Sequence, residues 1–326
     1  MLHLFSAGAL CVLGSFQVHA SVPPPNALRT KPIKIKLAPS TDAPIIFDLP
    51  IAYNPRVQQW IKYFQGPGRG TFTTWLERSN RYLPSLKRTL KREGLPQDLA
   101  YVVMIESGFS HSAVSHAQAV GPWQFISETG QRYGLMQNWW LDERRDFEKS
   151  TLAAAKYFRD LYNLFGSWYL AAAGYNTGEA RVKRLIEKHQ TRNFWAIAHK
   201  GGFAEETRNY VPKLIAAMLI AKAPAIYGFR NLKLAEPFDY EHFFVPGGTD
   251  LRSVAQRMGV DAKVLRELNP ELIRGFVPVS VSNHRIRIPR GKAQLLSALI
   301  YEDLTKENES SSMRGTYDEE RREGVL

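Results

Sequence analysis

Glu106 stands in the run Ile105-Glu106-Ser107-Gly108-Phe109, and Gly121-Pro122-Trp123-Gln124 follows, with Gln124 eighteen residues after the glutamate. Leu99, Val102, Val103 and Glu106 repeat at the i, i+3, i+4, i+7 spacing of one helical face, which sets a carboxylate on an otherwise apolar stripe. Burial there disfavours the ionised form, and a glutamic acid that keeps its proton near neutral pH can act as a general acid. Raising a glutamate from its ordinary ~4.3 to ~6.5 takes roughly 3 kcal/mol of differential solvation, within reach of a partly buried site. The same spacing also allows a helix-end carboxylate that reaches solvent past the apolar rim.

Helical signals run from Asn54 to about Tyr227, with stops expected at Gly94, Gly130, Gly166 and Gly228 and caps at Ser150, Ser167 and Thr177. Pro84 to Glu93 is an amphipathic segment ending at Gly94, so the helix carrying Glu106 is expected to start near Pro96, with Asp98 in its first turn. Glu106 then meets the negative end of the helix dipole, a second push toward its protonated form. Upstream, residues 21–48 read as a Pro-rich linker or edge strand with little core. Downstream, a module over residues 238–290 is expected: a strand and turn at Phe243 to Gly248, helices at Asp250 to Met258 and Asp261 to Leu268, and a closing strand at Arg285 to Pro289. Residues 305–326, charged and Ser-rich, read as a disordered tail.

A chain of 326 residues, 44% hydrophobic, suffices for one large and one small domain. Residues 1–20 read as a secretory signal, because Ser6, Ser15, Gln17 and His19 interrupt what an uncleaved anchor would need. The only cysteine, Cys11, lies inside that segment, so the exported chain would hold no disulfide, thiol nucleophile or thiolate metal site. The expected location is the periplasm or cell envelope. A formal charge of +12 comes without a nucleic-acid-binding signature, so the expected partner is an anionic polymer or surface, with cell-wall or membrane-surface association. His111 and His116 are spaced for neither a helical metal pair nor a His-Glu-x-x-His site, and no metal or other cofactor is expected. Asp142, Glu143, Asp146 and Glu148 alternate with Arg144 and Arg145 like a solvated or salt-bridged connection. Trp139, Trp140, Trp168, Tyr169 and Trp195 are most simply core, although any that face the cleft could stack on sugar faces.

Four motifs in order, Glu106-Ser107-Gly108-Phe109 with Ser115, Gly121-Pro122-Trp123-Gln124, Ala173-Gly174-Tyr175-Asn176-Thr177-Gly178, and Glu206-Thr207-Arg208-Asn209-Tyr210-Val211, resemble the SLT-type, goose-lysozyme-like lytic transglycosylases, particularly the membrane-bound type D group. The resemblance implies a mainly α fold: a lysozyme-like helical domain over residues 49–228, then a small βααβ module. That module resembles a degenerate LysM peptidoglycan-binding repeat, through Val245, Gly247, Asp250-Leu251, Ala255, Leu265, Leu268, Asn269-Pro270 and Ile288-Pro289. Residue by residue, the resemblance makes Glu106 the catalytic acid and base, Ser115 a polar contact near the reacting sugar and Gln124 a substrate ligand. It points the Tyr175 hydroxyl at the catalytic carboxyl and has Asn176 and Glu206 shape the cleft. Taken singly, Ser115 could instead cap a turn and Tyr175 be a core aromatic. A second Gly134-Leu135-Met136-Gln137 string lies too far from Glu106 to serve as the glutamine motif.

An ordinary glycosidase sets two carboxylates about the bond, and this chain advertises one. The resemblance implies that the sugar supplies its own nucleophile, giving 1,6-anhydromuramic ends on peptidoglycan glycan strands. Hydrolysis in the same fold, or wall binding without catalysis, are the alternatives. The module is expected to have its own core and to add a second attachment to the wall.

Overall fold

Ile33–Ile35 (β1) and Ile45–Phe47 (β2) pair antiparallel, with Ile33 opposite Phe47, in a computed structural model that describes residues 32–35 and 44–299. The expected signal, most of the linker and the expected tail lie outside those residues. The linker's end is part of the domain rather than outside its core. Phe47 is fully buried, and the Asp48 carboxylate accepts from the backbone N–H groups of Gln97 and Asp98 at 2.7 and 2.8 Å, capping the turn that leads to Glu106.

Asn54 caps Pro55–Gln65 (α1), accepting from the Val57 N–H, and Pro55 sits where a missing N–H costs nothing. Arg69–Arg92 (α2) is one long helix with Pro84 inside it; its buried Phe72, Leu76, Leu86 and Leu90 recur at helical spacing, and this stripe outweighs the single backbone bond that proline forgoes. A 3₁₀ turn over Gln97–Ala100 feeds Tyr101–Ser107 (α3), in which Tyr101 through Ile105 are all buried. Then come Ser127–Arg132 (α4), Phe147–Phe165 (α5), Trp168–Thr177 (α6), Glu179–His189 (α7), Phe194–His199 (α8) and Glu205–Lys222 (α9). Among the expected caps only Ser167 caps a helix; Ser150 is buried within α5, whose cap is Asp146, accepting from the N–H groups of Glu148 and Lys149. Gly166, at φ 66°, ends α5, whereas Gly130 lies inside α4. Helix α9 packs on α1, α3 and α6, and α3 is buried from Tyr101 through Ile105.

The module follows the expected order: Tyr240–Pro246 (β3), Leu251–Arg257 (α10), Ala262–Leu268 (α11) and Asn283–Pro289 (β4), with β3 and β4 antiparallel and Tyr240 opposite Pro289. Asp250 and Asp261 cap the two helices, each accepting from a backbone N–H at 2.8 Å. Val245, Leu251, Leu265, Ile286 and Ile288 form its core, and Trp140 and Leu141 of the helical domain complete it. The expected separate cores are therefore corrected, because the module's interior borrows two side chains from its neighbour. Backbone bonds join the units, from Asp142 N–H to the Glu271 carbonyl at 2.9 Å and from Ile273 N–H to the Trp140 carbonyl at 3.1 Å. Trp139, expected in the core, is 58% exposed.

Arg287 on β4 crosses the same boundary. Its guanidinium pairs with Asp146, with Glu148 at 3.1 Å and with Glu271 at 3.2 Å, while Asn269 pins its backbone from both sides. The Asp142 to Glu148 stretch is thus salt-bridged rather than solvated, with Asp142, Glu143 and Asp146 all buried.

Candidate active site

Glu106 is the penultimate residue of α3, and it is half-buried at the end of a helix whose Tyr101 through Ile105 are buried. Gly108 ends the helix at φ 58°; a Cβ there would lie 2.2 Å from the Trp75 indole, so only glycine lets the chain turn at this point. Burial, the largest influence, pushes the Glu106 carboxyl up to about 7. A hydrogen bond from Tyr210 and the Lys213 charge pull it down, and the nearby Glu206 pushes it up. Close to neutral pH this group is a mixture of acid and carboxylate, the condition for giving a proton and taking one back.

Tyr210, buried on α9, donates its hydroxyl to Glu106 Oε1 at 2.5 Å. Lys213, one turn on, donates to the Ile105 carbonyl at 3.1 Å, with its ammonium 5.7 and 5.8 Å from the Trp60 and Trp75 rings. That carbonyl belongs to the last turn of α3, so Lys213 also offsets the negative end of the helix dipole. Lys213 does not salt-bridge Glu106 directly, which leaves the carboxyl free to be protonated. Beside this pair, Trp60, Tyr63, Arg56 and Asn209 line a cavity of about 270 Å³ between α1 and α9.

Tyr175 departs from the expected geometry. Its hydroxyl donates to the Trp123 carbonyl at 2.7 Å, and its ring stacks on Phe158 at 4.6 Å. Tyr210 takes the place at the carboxyl that was expected of Tyr175. The Tyr175 hydroxyl is nonetheless close enough that, after burial, the Glu106 charge is the main influence raising it. Its bond to Trp123 fastens α6 to the Gly121-Pro122-Trp123-Gln124 loop. Ser107 fastens the same loop to α3, donating to the Pro122 carbonyl at 2.8 Å, and the Trp123 indole donates to Thr151 at 2.8 Å from full burial.

Ser115 and Gln124 hold the opposite loop together. The Ser115 hydroxyl oxygen accepts from the Ala119 N–H at 3.0 Å, which is the turn-capping reading. Gln124, at φ 53°, donates its amide to the Gly121 carbonyl at 2.8 Å and the Ala113 carbonyl at 3.3 Å. Gly121 could carry no side chain, since a Cβ would fall 1.9 Å from the Arg144 carbonyl. Asn176 donates to Glu206 at 3.0 Å and accepts from Thr207 at 2.8 Å, tying the end of α6 to the first turn of α9. The structure thus gathers Glu106, Tyr175, Asn176 and Glu206 about one end of α3, and Ser115 with Gln124 along the facing loop. Gln137 of the second glutamine string lies apart, against the Ser127 carbonyl.

Residues 84–198 match the family model described as the transglycosylase SLT domain, and residues 242–299 match that of the LysM-like domain of the lytic transglycosylase MltD. These stretches belong to those two families. The SLT domain contains Glu106, Ser115, Gln124, Tyr175 and Asn176; Glu206, Tyr210 and Lys213 lie just beyond the matched stretch. Membrane-bound lytic murein transglycosylase D of Escherichia coli strain K12 is 32% identical over 224 residues, covering 67% of this chain and 48% of that protein. A putative tributyltin chloride resistance protein of an Alteromonas species is 37% identical over 119 residues, 36% of this chain and 58% of its own. The solved 70 kDa soluble lytic transglycosylase of Escherichia coli overlays with a TM-score of 0.41 at 18% identity, over 56% of this chain and 33% of that one. The chain spans about half the length of the type D relative. No helix among the described residues is long and apolar enough to cross a membrane.

Sequence reading gave Tyr210 and Lys213 no role. The signal was present: Glu206, Tyr210 and Lys213 stand at i, i+4, i+7, one face of α9.

Proposed function

We propose that this protein is a peptidoglycan lytic transglycosylase of the cell envelope. It cleaves the bond between N-acetylmuramic acid and N-acetylglucosamine without water. The observation that carries this reading is the single carboxyl at the end of α3, held up to about 7 and lacking a direct ion pair. Tyr210 donates to Oε1, so the acidic proton belongs on the other oxygen, the one left for substrate. Glu106 gives that proton to the glycosidic oxygen as the bond to C1 breaks and positive charge develops on the muramic ring. The resulting carboxylate then takes the proton of the muramic C6 hydroxyl as that oxygen bonds to C1, closing a 1,6-anhydro ring. The intramolecular hydroxyl replaces the water that a second carboxylate would position. Glu206 does not fill that role in this reading, since it is exposed and engaged by Asn176. Ser115, Gln124, Tyr175, Asn176 and Glu206 set the cleft that receives the sugars, and the LysM-like module holds the strand.

Mass spectrometry of digested sacculi tests the proposal, because an anhydro end is one water lighter than a reducing end. Reducing ends alone would make the protein a muramidase, and an undigested wall would make it a binder.

A further inference from the structure

The seam between the helical domain and the module holds a feature that the reaction at Glu106 does not use. Two cavities of about 310 and 420 Å³ lie along it and share His111 and Arg266, so they form one trough. One wall is the loop that leaves the Glu106 helix, at His111. The other is the outer side of α10 and α11, where Arg252, Lys263 and Arg266 are exposed. Arg145 of the helical domain closes the smaller cavity. Its Nε is buried without a hydrogen-bond acceptor, and Asp142 Oδ2, at 3.9 Å, is beyond hydrogen-bonding reach. A buried guanidinium N–H with unspent capacity calls for an acceptor from outside. The one acid among these lining residues, Glu267, is neutralised by Arg81 of α2 at 3.0 Å. Burial is the main influence holding His111 below its ordinary value; among the charges Glu267 raises it most, and Arg145 and Arg78 lower it. Arg145, Arg252, Lys263 and Arg266 thus outnumber the one acid in the lining.

We propose that this trough is a carboxylate-binding subsite shared by the two units, in which Arg145 and Arg266 receive a carboxylate of the glycan strand and Arg252 and Lys263 extend the track. Guanidinium groups match the planar carboxylate, and a site between two units explains why they are joined so firmly, since its walls must keep one spacing. The inference rests on the polymer reading above. Such a strand offers carboxylates from two sources: its stem peptides and, on muramic residues from which the stem has been removed, the freed lactyl group.

The test is co-sedimentation of the full chain carrying Glu106→Gln, which removes cleavage from the readout, with three wall preparations. Untreated sacculi keep stem carboxylates, amidase-stripped strands bear only lactyl carboxylates, and carbodiimide-amidated sacculi bear neither. Adding Arg252→Gln, Lys263→Gln and Arg266→Gln, all exposed, should weaken binding to untreated sacculi about tenfold at low salt. On amidated sacculi the two proteins should bind alike. A defect that persists on stripped strands assigns the lactyl group, and one that vanishes there assigns the stem peptide. A control triple at Lys183, Arg184 and Lys188 of α7 removes the same charge elsewhere. An equal loss from the control, or equal binding of the seam triple and its parent to untreated sacculi, overturns the subsite. A parent that sediments with no preparation removes the polymer reading itself, and this inference with it.

Discussion

Glu106 and Asp146 are both carboxylates lodged among buried side chains, and they are driven in opposite directions. Burial raises Glu106 to about 7, and Lys213, whose ammonium donates to the Ile105 carbonyl, lowers it by its charge without forming an ion pair. Burial also pushes Asp146 up, yet the Arg287 charge and hydrogen bond, with the N–H of Lys149, hold it below its ordinary value. For these two carboxylates the difference is how strongly Arg287 and backbone N–H groups engage Asp146, with no such ion pair at Glu106. Glu271 shows that a single contact does not suffice: paired with Arg287 at 3.2 Å, it is still raised to about 7, because burial and the Asp146 charge oppose that pair.

Glu106→Gln breaks the donor side of this comparison most severely. The amide keeps the volume and can still accept from Tyr210, but it carries no acidic proton. Turnover should fall about a thousandfold, some 4 kcal/mol of barrier, with melting temperature unchanged or raised. Retention of parent-like turnover would place the acid elsewhere.

Arg287→Met breaks the clamp side. It strands Asp146 and Glu271 in the interior, and leaving buried charges without their partner costs about 3–5 kcal/mol. The sign of the pH response distinguishes this from lost packing. In the parent, Asp146 sits below its unfolded value, so its contribution is complete above about pH 4 and is lost as pH falls through the lower folded value. Glu271, raised to about 7, already gains stability on acidification in the parent, so the readout is the difference between the two proteins: in the variant, where Asp146 has also lost its cation, acidification should recover more. Thermal melts between pH 4 and 8 read this directly. A melting temperature that falls equally at every pH would make Arg287 a packing residue. Removing residues 242–299 should also lower the melting temperature of the remaining helices, since it uncovers Trp140, Leu141 and Asp146.

The module's element order and the Glu106 motif were legible because both depend on local rules, namely strand alternation, aspartate caps and a carboxylate on an apolar face. The clamp was not. Arg285-Ile286-Arg287-Ile288 alternates as a strand with one face in water, and Arg285 obeys that pattern while Arg287 is 3% exposed. Alternation reports which residues face the module's core and says nothing of a second body covering the other face. For the same reason the acidic stretch from Asp142 to Glu148 could be read as solvated or salt-bridged but not assigned its chief partner, which lies 141 residues from Asp146. Tyr175 was misplaced by a shorter distance. Tyr175 and Tyr210 both approach Glu106, and only side-chain geometry decides which hydroxyl touches it.

Lys213→Met gives a smaller effect on the donor side. The ammonium lowers Glu106, so its loss should raise that group and carry the alkaline limb of the activity profile to higher pH. Because the bond to the Ile105 carbonyl also disappears, turnover at the optimum should drop a few-fold, at the level of a hydrogen bond's net contribution of about 0.5–1.5 kcal/mol. A limb that moves to lower pH would mean that Lys213 acts through something other than its charge.

The finest distinction on the donor side is between the two tyrosines. Tyr210→Phe removes a hydroxyl that donates to Glu106 Oε1 and so favours the carboxylate; without it the acid form gains. The alkaline limb should rise by a fraction of a pH unit, and turnover should fall up to about tenfold because the carboxyl loses its orienting partner. Tyr175→Phe removes a bond to the Trp123 carbonyl instead, with the ring still stacked on Phe158. It should slacken the Gly121 to Gln124 loop, raising KM for wall fragments a few-fold while the pH limbs stay within error of the parent's. The decisive measurement is the pair of pH profiles under identical salt. If Tyr175→Phe moves the alkaline limb as far as Tyr210→Phe does, the Tyr175 hydroxyl turns to the carboxyl during turnover, and the assignment of Tyr210 as its sole phenolic partner fails.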